Sequence, residues 1–199
     1  MSIMSGIFSR HKTYPAVLRR LTQTVTNGTM GPKTYPITKT VDRAIYYKGS
    51  LAKSFISEKF SPDVSGVVLF DPADVETSQI PATSGRIDIN DEMQTGSVNN
   101  LAGYVPGSTA MAVDGFAGAQ PKPLDMFFVA GDSVEHEIKA VNYTGSVVTS
   151  IVFTPGLGAA VVDDAVITLA PVLARLSVIS ADDIALQGAV VMVPVKEFA

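Results

Sequence analysis

The chain has 199 residues, of which 46% are hydrophobic and 17% are charged, and it contains no cysteine and no tryptophan. This composition excludes an intrinsically disordered protein, and the lack of cysteine excludes disulfides, thiolate catalysis and cysteine-based zinc or iron–sulfur sites. The formal net charge of −4 is distributed unevenly along the chain. Residues 1–60 carry ten Lys/Arg and two Asp/Glu, a net charge of +8, whereas residues 61–199 carry five Lys/Arg and seventeen Asp/Glu, a net charge of −12.

Two further sequence features bear on the cellular compartment. No segment contains the roughly 18 uninterrupted apolar residues that a membrane span requires. The first eight residues, Met1–Phe8, have no basic stretch ahead of a long apolar run, so they are not typical of a signal peptide. We therefore expect a soluble protein that is made in the cytoplasm.

The charge asymmetry has two interpretations. A basic N-terminal third can bind nucleic acid, or it can dock on the acidic face of another subunit or of an acidic partner. The basic residues are spread over sixty positions and are not interleaved with aromatic residues, which favours docking over nucleic-acid binding. The candidate interface residues are Arg10, Lys12, Arg19, Arg20, Arg43, Lys48 and Lys53.

Taken in chain order, the first predicted element is a short amphipathic helix over Thr13–Val25, within an N-terminal arm of residues 1–34. Pro15 suits a first helical position and Asn27-Gly28 suits a helix end. Apolar residues recur on one helical face at Val17, Leu18, Leu21 and Val25. The helix either packs on the body of the protein or acts as an interface helix that presents Arg19 and Arg20 to an acidic partner.

Residues 35–199 are predicted to form a β domain. Alternating or β-branched runs predict strands over Tyr35–Tyr47, Val64–Phe70 and Gly85–Asn90, whereas Ser50–Phe60 fits a helix and a strand equally well. The stretch of about 90–123 is rich in glycine and proline and is predicted to be a long irregular loop. Such a loop is either a surface loop without regular structure, or an arm that reaches a neighbouring subunit or lines a channel.

The last third of the chain has the clearest strand pattern. Ser133–Val141 and Val147–Phe153 flank a turn and predict a hairpin, and Val166–Leu169 predicts a third strand. Leu173–Ile179 and Ala189–Val195 offer one or two more strands, joined by an Asp182-Asp183 turn. The predicted fold is therefore mainly β, a small β-barrel or sandwich with a short N-terminal helix and a long inserted loop.

The sequence predicts no catalytic, cofactor-binding or metal-binding residues. The two histidines are His11, in the basic N-terminal stretch, and His136, which we interpret as a packed or hydrogen-bonded strand residue. Adjacent acidic residues such as Asp163-Asp164 are typical of solvated turns, and the phosphate-loop, dinucleotide-binding and nucleophile-elbow motifs do not occur. These features favour a structural part over an enzyme.

Gly131-Asp132, the hairpin after it and the Ile151–Leu157 and Ala159–Thr168 segments form a distinctive pattern in the last half of the chain. This pattern resembles one that is common in virion structural proteins of tailed bacteriophages. The layout of Val41–Ile89 is similar to head-completion or head–tail connector proteins, so the resemblance covers residues 40–170. This chain differs from small connectors in its length, in the 90–123 stretch and in a substantial C-terminal extension.

The resemblance implies a small β-barrel that assembles as a homo-oligomeric ring in the neck of the virion, closes the filled head below the portal and docks the tail. The implied partners are further copies of the chain, a portal or adaptor protein, tail proteins, and double-stranded DNA that passes without sequence-specific binding; no cofactor and no membrane are implied. Alternatives are another virion protein (a tail terminator, decoration or coat subunit) or a β-sandwich module that binds a carbohydrate or a host surface. An enzyme ranks below both.

Overall fold

A computed structural model of the protein describes residues 11–26, 28–49, 64–179, 185–187 and 190–197. These residues form β-strands and a three-residue 3₁₀ helix, Thr77–Gln79, and they include no helix long and apolar enough to cross a membrane. The strands are β1 (Tyr14–Arg19), β2 (Thr22–Thr26), β3 (Thr29–Thr34), β4 (Ile37–Lys48), β5 (Gly66–Phe70), β6 (Arg86–Asn90), β7 (Gln94–Val98), β8 (Ala110–Asp114), β9 (Met126–Val129), β10 (His136–Thr144), β11 (Val147–Thr154), β12 (Val166–Ala170), β13 (Val172–Val178), β14 (Ala185–Gln187) and β15 (Val190–Glu197).

The chain divides into two compact units. Unit 1 comprises the described residues of 1–90 and 173–199, and unit 2 comprises residues 91–172. This division differs from the predicted one, which set an arm of residues 1–34 apart from a single β domain. The reason is that β1 pairs with both β4 and β6 and is therefore an interior strand of unit 1.

Unit 1 is a strongly buried antiparallel sheet that closes on itself. Its strand order is β13–β6–β1–β4–β5–β15, and β13 also pairs with β15, while β14 adds to β15. The core contains Leu18, Phe70, Ile87 and Leu176, each of which is fully buried. Closure leaves few free strand edges and buries apolar side chains from all of the strands that surround the core. This burial is the main source of stability in such a unit.

Unit 2 is a closed six-stranded barrel with the order β10–β11–β8–β7–β12–β9. Its core is built around Phe127 and Phe153, whose rings meet edge to face with centroids 5.3 Å apart, and around Ile138 and Ile167. The predicted mainly β barrel is thus confirmed, and so is the hairpin, since β10 and β11 pair antiparallel across a turn at Gly145.

The predicted helix over Thr13–Val25 is wrong, because β1 and β2 occupy this segment. Both faces of β1 are buried from Ala16 to Arg19, and a strand buried on both faces has a continuous apolar run that also fits one face of a helix. Pro15, which suggested a helix start, instead lies at an irregularity in the pairing of β1 with β4, between Tyr14 and Ala16.

The predicted long loop at 90–123 is interrupted by two barrel strands, β7 and β8, whereas the stretches between them and after β8 are irregular as predicted. Gly96 suggested a loop, yet it stands in the middle of β7. A Cβ atom at Gly96 would lie 2.5 Å from the Phe116 ring, so glycine is required where this ring crosses the strand. The predicted helix-or-strand segment Ser50–Phe60 and the turn at Asp182-Asp183 lie outside the described residues.

Candidate interaction surfaces

The predicted basic interface set does not form one surface. Arg19 is only 3% exposed, and its Nε lies 2.7 Å from Oδ2 of Asp88, which is fully buried in unit 1. Arg19 therefore stabilises the interior of its own unit. Its chain neighbour Arg20 is exposed. Arg10 and Lys53 lie outside the described residues.

Two more arginines converge on the same carboxylate. Arg86 Nη2 lies 2.7 Å from Asp88 Oδ2, and Arg175 Nε lies 3.3 Å from Oδ1. Burial lowers the pKa of the Arg86 guanidinium, and the nearby Arg175 and Arg19 lower it further, while Asp88 opposes this effect. The cluster joins β1, β6 and β13 by charge-assisted hydrogen bonds.

The other members of the predicted set are exposed and have local partners. Lys12 Nζ lies 4.9 Å from the centroid of the Tyr14 ring. Arg43 is about half exposed and forms an ion pair with Asp74, Nη2 to Oδ2 3.4 Å, while Lys48 pairs with Glu197. Exposed ion pairs of this kind contribute little to stability, because water and salt screen them. These residues supply surface charge but no defined ligand site.

His136 lies in the interior of the barrel of unit 2. Its side chain is fully buried against the rings of Phe127 and Phe153, and its Nδ1 donates to the carbonyl oxygen of Pro155 at 2.8 Å. Its Nε2 lies 3.3 Å from Oδ2 of Asp132, a close electrostatic contact without good hydrogen-bond geometry. The predicted packing and hydrogen-bonding role of His136 is confirmed.

The Asp132 carboxylate beside His136 is held in place by backbone hydrogen bonds. Its oxygens accept backbone N–H bonds from Val134 at 3.0 Å and Gly158 at 2.8 Å. Burial alone would raise the pKa of Asp132, but these two hydrogen bonds and His136 outweigh it and hold the pKa below its ordinary value. The arrangement ties the segment before β10 to the segment after β11. In the described part of the chain, no group of three or more His, Asp or Glu is placed to hold a metal ion.

The first surface of interest is the β2–β3 hairpin, which sequence reasoning missed. Within the described residues the two strands pair only with each other, and none of their described side chains is buried. The hydroxyls of Thr22 and Thr34 lie 2.8 Å apart, and Gln23 Nε2 donates to the Gly31 carbonyl at 2.7 Å. Such a hairpin has no core of its own, and isolated two-stranded sheets are marginally stable in water.

The end of this hairpin is apolar and its surroundings are basic. Val25 and Met30 are cross-strand partners and are 63% and 70% exposed. Arg20 and Lys33 are exposed near the base of the hairpin, and the first acidic residue of the whole chain is Asp42. The hairpin therefore presents two apolar side chains in a stretch of sequence whose charged residues are all positive.

The second surface lies on unit 2, where two segments are joined by an antiparallel bridge between Tyr104 and Val161. Tyr104 and Val161 face inward, so their neighbours Val105 and Val162 face outward and are 69% and 71% exposed. Leu101, at the tip of the adjoining turn, is 93% exposed. Three large apolar side chains thus share one exposed region.

No protein-family model matches this chain, and no curated protein matches its sequence.

Proposed function

We propose that this protein is a virion structural subunit of a tailed bacteriophage, a head-completion or head–tail connector that forms a homo-oligomeric ring and has no catalytic role. The observation that carries the proposal is the β2–β3 hairpin, whose described side chains are all at least partly exposed. An ordered hairpin without a core is typical of an element that is stabilised by contact with another subunit.

The distribution of charge supports self-assembly. Residues 91–172 contain nine Asp/Glu and two Lys, a net charge of −7, while the remaining residues contain ten Asp/Glu and thirteen Lys/Arg, a net charge of +3. Units of opposite net charge attract one another between copies and steer their encounter. An acidic lining also repels DNA phosphates, so a duplex would pass through such a ring without being held.

The partners under this proposal are other copies of the chain, the portal or adaptor protein above the ring and tail proteins below it. Double-stranded DNA would pass without sequence-specific contacts, and no cofactor is needed. Because the resemblance to connectors covers residues 40–170, it spans strands of both units. The protein would be made in the host cytoplasm and act in the virion.

A genetic block of particle assembly tests this proposal. In a tailed phage that encodes this chain, a stop codon early in its gene should yield filled heads and free tails but few joined particles, as counted by electron microscopy. Adding purified full-length protein to that lysate should restore joined, infectious particles. Joined particles in normal number without the protein would overturn the connector role and point to decoration instead.

A further inference from the structure

We infer that the β2–β3 hairpin of one copy docks on the exposed apolar region of unit 2 in a neighbouring copy. This region, called here the receiving surface, comprises Leu101, Val105, Val162 and the adjoining Asp163 and Asp164. The inference rests on the proposed function, since it specifies how copies would join, and it names the two surfaces that meet.

The hairpin is suited to insertion because its apolar residues are placed together at its free end. Val25 and Met30 are paired across the strands, and Gly28 lies between them in the turn with φ +77°, a conformation that glycine adopts without strain. Burying two apolar side chains that are more than 60% exposed would remove a large apolar area from water.

The receiving surface is held in shape by its own hydrogen bonds. The Leu101 turn is closed by Gly103 N–H donating to the Asn100 carbonyl at 2.7 Å, and Asn100 N–H donates to Asp163 Oδ1 at 2.7 Å. The bridge between Tyr104 and Val161 has two hydrogen bonds, of 2.7 and 2.9 Å. A surface ordered before binding loses little conformational entropy on binding.

The opposite charges of the hairpin and the receiving surface favour a second copy of the chain as the partner. The hairpin lies in a stretch of 41 residues without a single acidic residue, whereas the receiving surface carries Asp163 and the exposed Asp164 in a unit of net charge −7. Apolar residues would therefore meet apolar residues, and positive charge would meet negative charge.

The two surfaces are different from each other, which determines the kind of assembly. Each copy has one hairpin and one receiving surface, so each contact is head-to-tail. Repeated head-to-tail contacts give a closed ring when the rotation between copies closes, whereas a symmetric dimer needs one surface that matches itself. The pairing inferred here thus accounts for a ring.

Disulfide cross-linking between two single-cysteine variants tests the contact, because the natural chain has no cysteine. A tagged Met30→Cys variant is mixed with an untagged Leu101→Cys variant and oxidised mildly. We expect a cross-linked pair containing one chain of each kind, and little Met30→Cys homodimer. A disulfide requires Cα atoms within about 7 Å, so its formation reports direct contact.

Ser146→Cys is the matched control for the receiving side. Ser146 is exposed in the turn before β11, at one end of this eight-residue strand. Gly107 and Ser108, which follow Val105 in the chain, hydrogen-bond to Leu157 beyond the opposite end of β11. This variant should give no more cross-link with Met30→Cys than a cysteine-free partner does. Equal cross-linking of Ser146→Cys and Leu101→Cys would overturn the inference.

Replacing the apolar residues at the end of the hairpin provides a second, independent experiment. The double variant Val25→Ser/Met30→Ser should raise the concentration needed for assembly by about tenfold or more, as measured by native mass spectrometry. Val147→Ser/Val166→Ser, which changes two exposed valines of unit 2 outside the receiving surface, should leave that concentration unchanged. Circular dichroism checks that each variant is folded.

The outcomes separate this inference from the proposed function. Rings that form normally in the Val25→Ser/Met30→Ser variant would overturn the hairpin contact and leave the connector role intact. A stop-codon phage that assembles joined particles would overturn the connector role, whereas specific cross-linking between Met30→Cys and Leu101→Cys would still support the contact between copies.

Discussion

The Arg19 guanidinium and the Asp88 carboxylate form an ion pair in the interior of unit 1, with Nε and Oδ2 2.7 Å apart, although 69 positions separate them in the chain. Asp88 is fully buried and Arg19 is almost so. A buried charge is tolerated only when opposite charge and hydrogen bonds surround it, so the pair constrains how β1 and β6 meet.

Asp88→Asn should destabilise unit 1 by about 3–5 kcal/mol, because the buried Arg19 and Arg86 and the partly buried Arg175 would lose the carboxylate on which they converge. Hydrogen exchange measured by mass spectrometry checks this for each unit separately, and faster exchange should appear in peptides of unit 1, including β1, β6 and β13, but not in those of unit 2. Asp74→Asn is the matched control, because the Asp74–Arg43 pair is exposed and its loss should cost less than about 1 kcal/mol. Equal effects of the two variants would contradict the account of the cluster.

The Asp132 carboxylate should make unit 2 sensitive to acid. Its pKa in the folded protein lies below the ordinary value of about 3.9. A carboxylate with a lowered folded pKa contributes stability that is fully present above the unfolded pKa and is lost as the pH falls through the folded pKa. We therefore expect denaturant stability of unit 2 to fall as the pH is lowered below about 4.

Asp132→Asn should remove that part of the acid dependence and should cost about 1–3 kcal/mol near neutral pH, because an amide has a single acceptor oxygen for the N–H groups of Val134 and Gly158. Urea unfolding near neutral and acidic pH measures both effects. Asp164→Asn changes the same charge at an exposed site, with φ +58° that asparagine tolerates, and should alter stability little. If the acid dependence of stability is the same in Asp132→Asn as in the natural protein, titratable groups other than Asp132 cause it.

Assembly should weaken with salt. The inferred contact joins a basic hairpin to an acidic unit, and the Debye length falls below about 5 Å when NaCl is raised from about 50 mM to about 500 mM. We expect the concentration needed for assembly to rise over this range, as followed by native mass spectrometry or light scattering. Lys33→Glu should reproduce the loss at low salt, whereas Lys122→Glu, within unit 2, should not. Assembly that strengthens with salt would indicate a contact without opposing charges.

Strands with strict alternation were predictable. Ile138 is buried while Lys139 is exposed, and this alternation, with a turn at Gly145, predicts the β10–β11 hairpin, although β10 extends from His136 to Thr144 and not from Ser133 to Val141. The strands that were missed depend on tertiary contacts. The apolar run of β1 is covered on both faces, and Gly96 is required by the ring of Phe116, which a single sequence does not reveal.

The interaction surfaces were harder to predict than the fold. Arg19 and Arg20 are adjacent in the chain, yet one is buried against Asp88 and the other is exposed, and only the distant pairing of β1 with β6 decides this. The β2–β3 hairpin did leave a signal, since Asn27-Gly28 between threonine-rich runs is a strong hairpin turn sequence. The helical spacing of Val17, Leu18 and Leu21 obscured that signal.

The central claim is that this chain assembles with itself into a ring, and the mass of the oligomer tests it most directly. Native mass spectrometry of the full-length protein, at low salt and increasing concentration, should show monomer converting to one closed oligomer with a fixed number of subunits. Monomer or dimer at every concentration, or a ladder of open chains without a preferred size, would contradict the account.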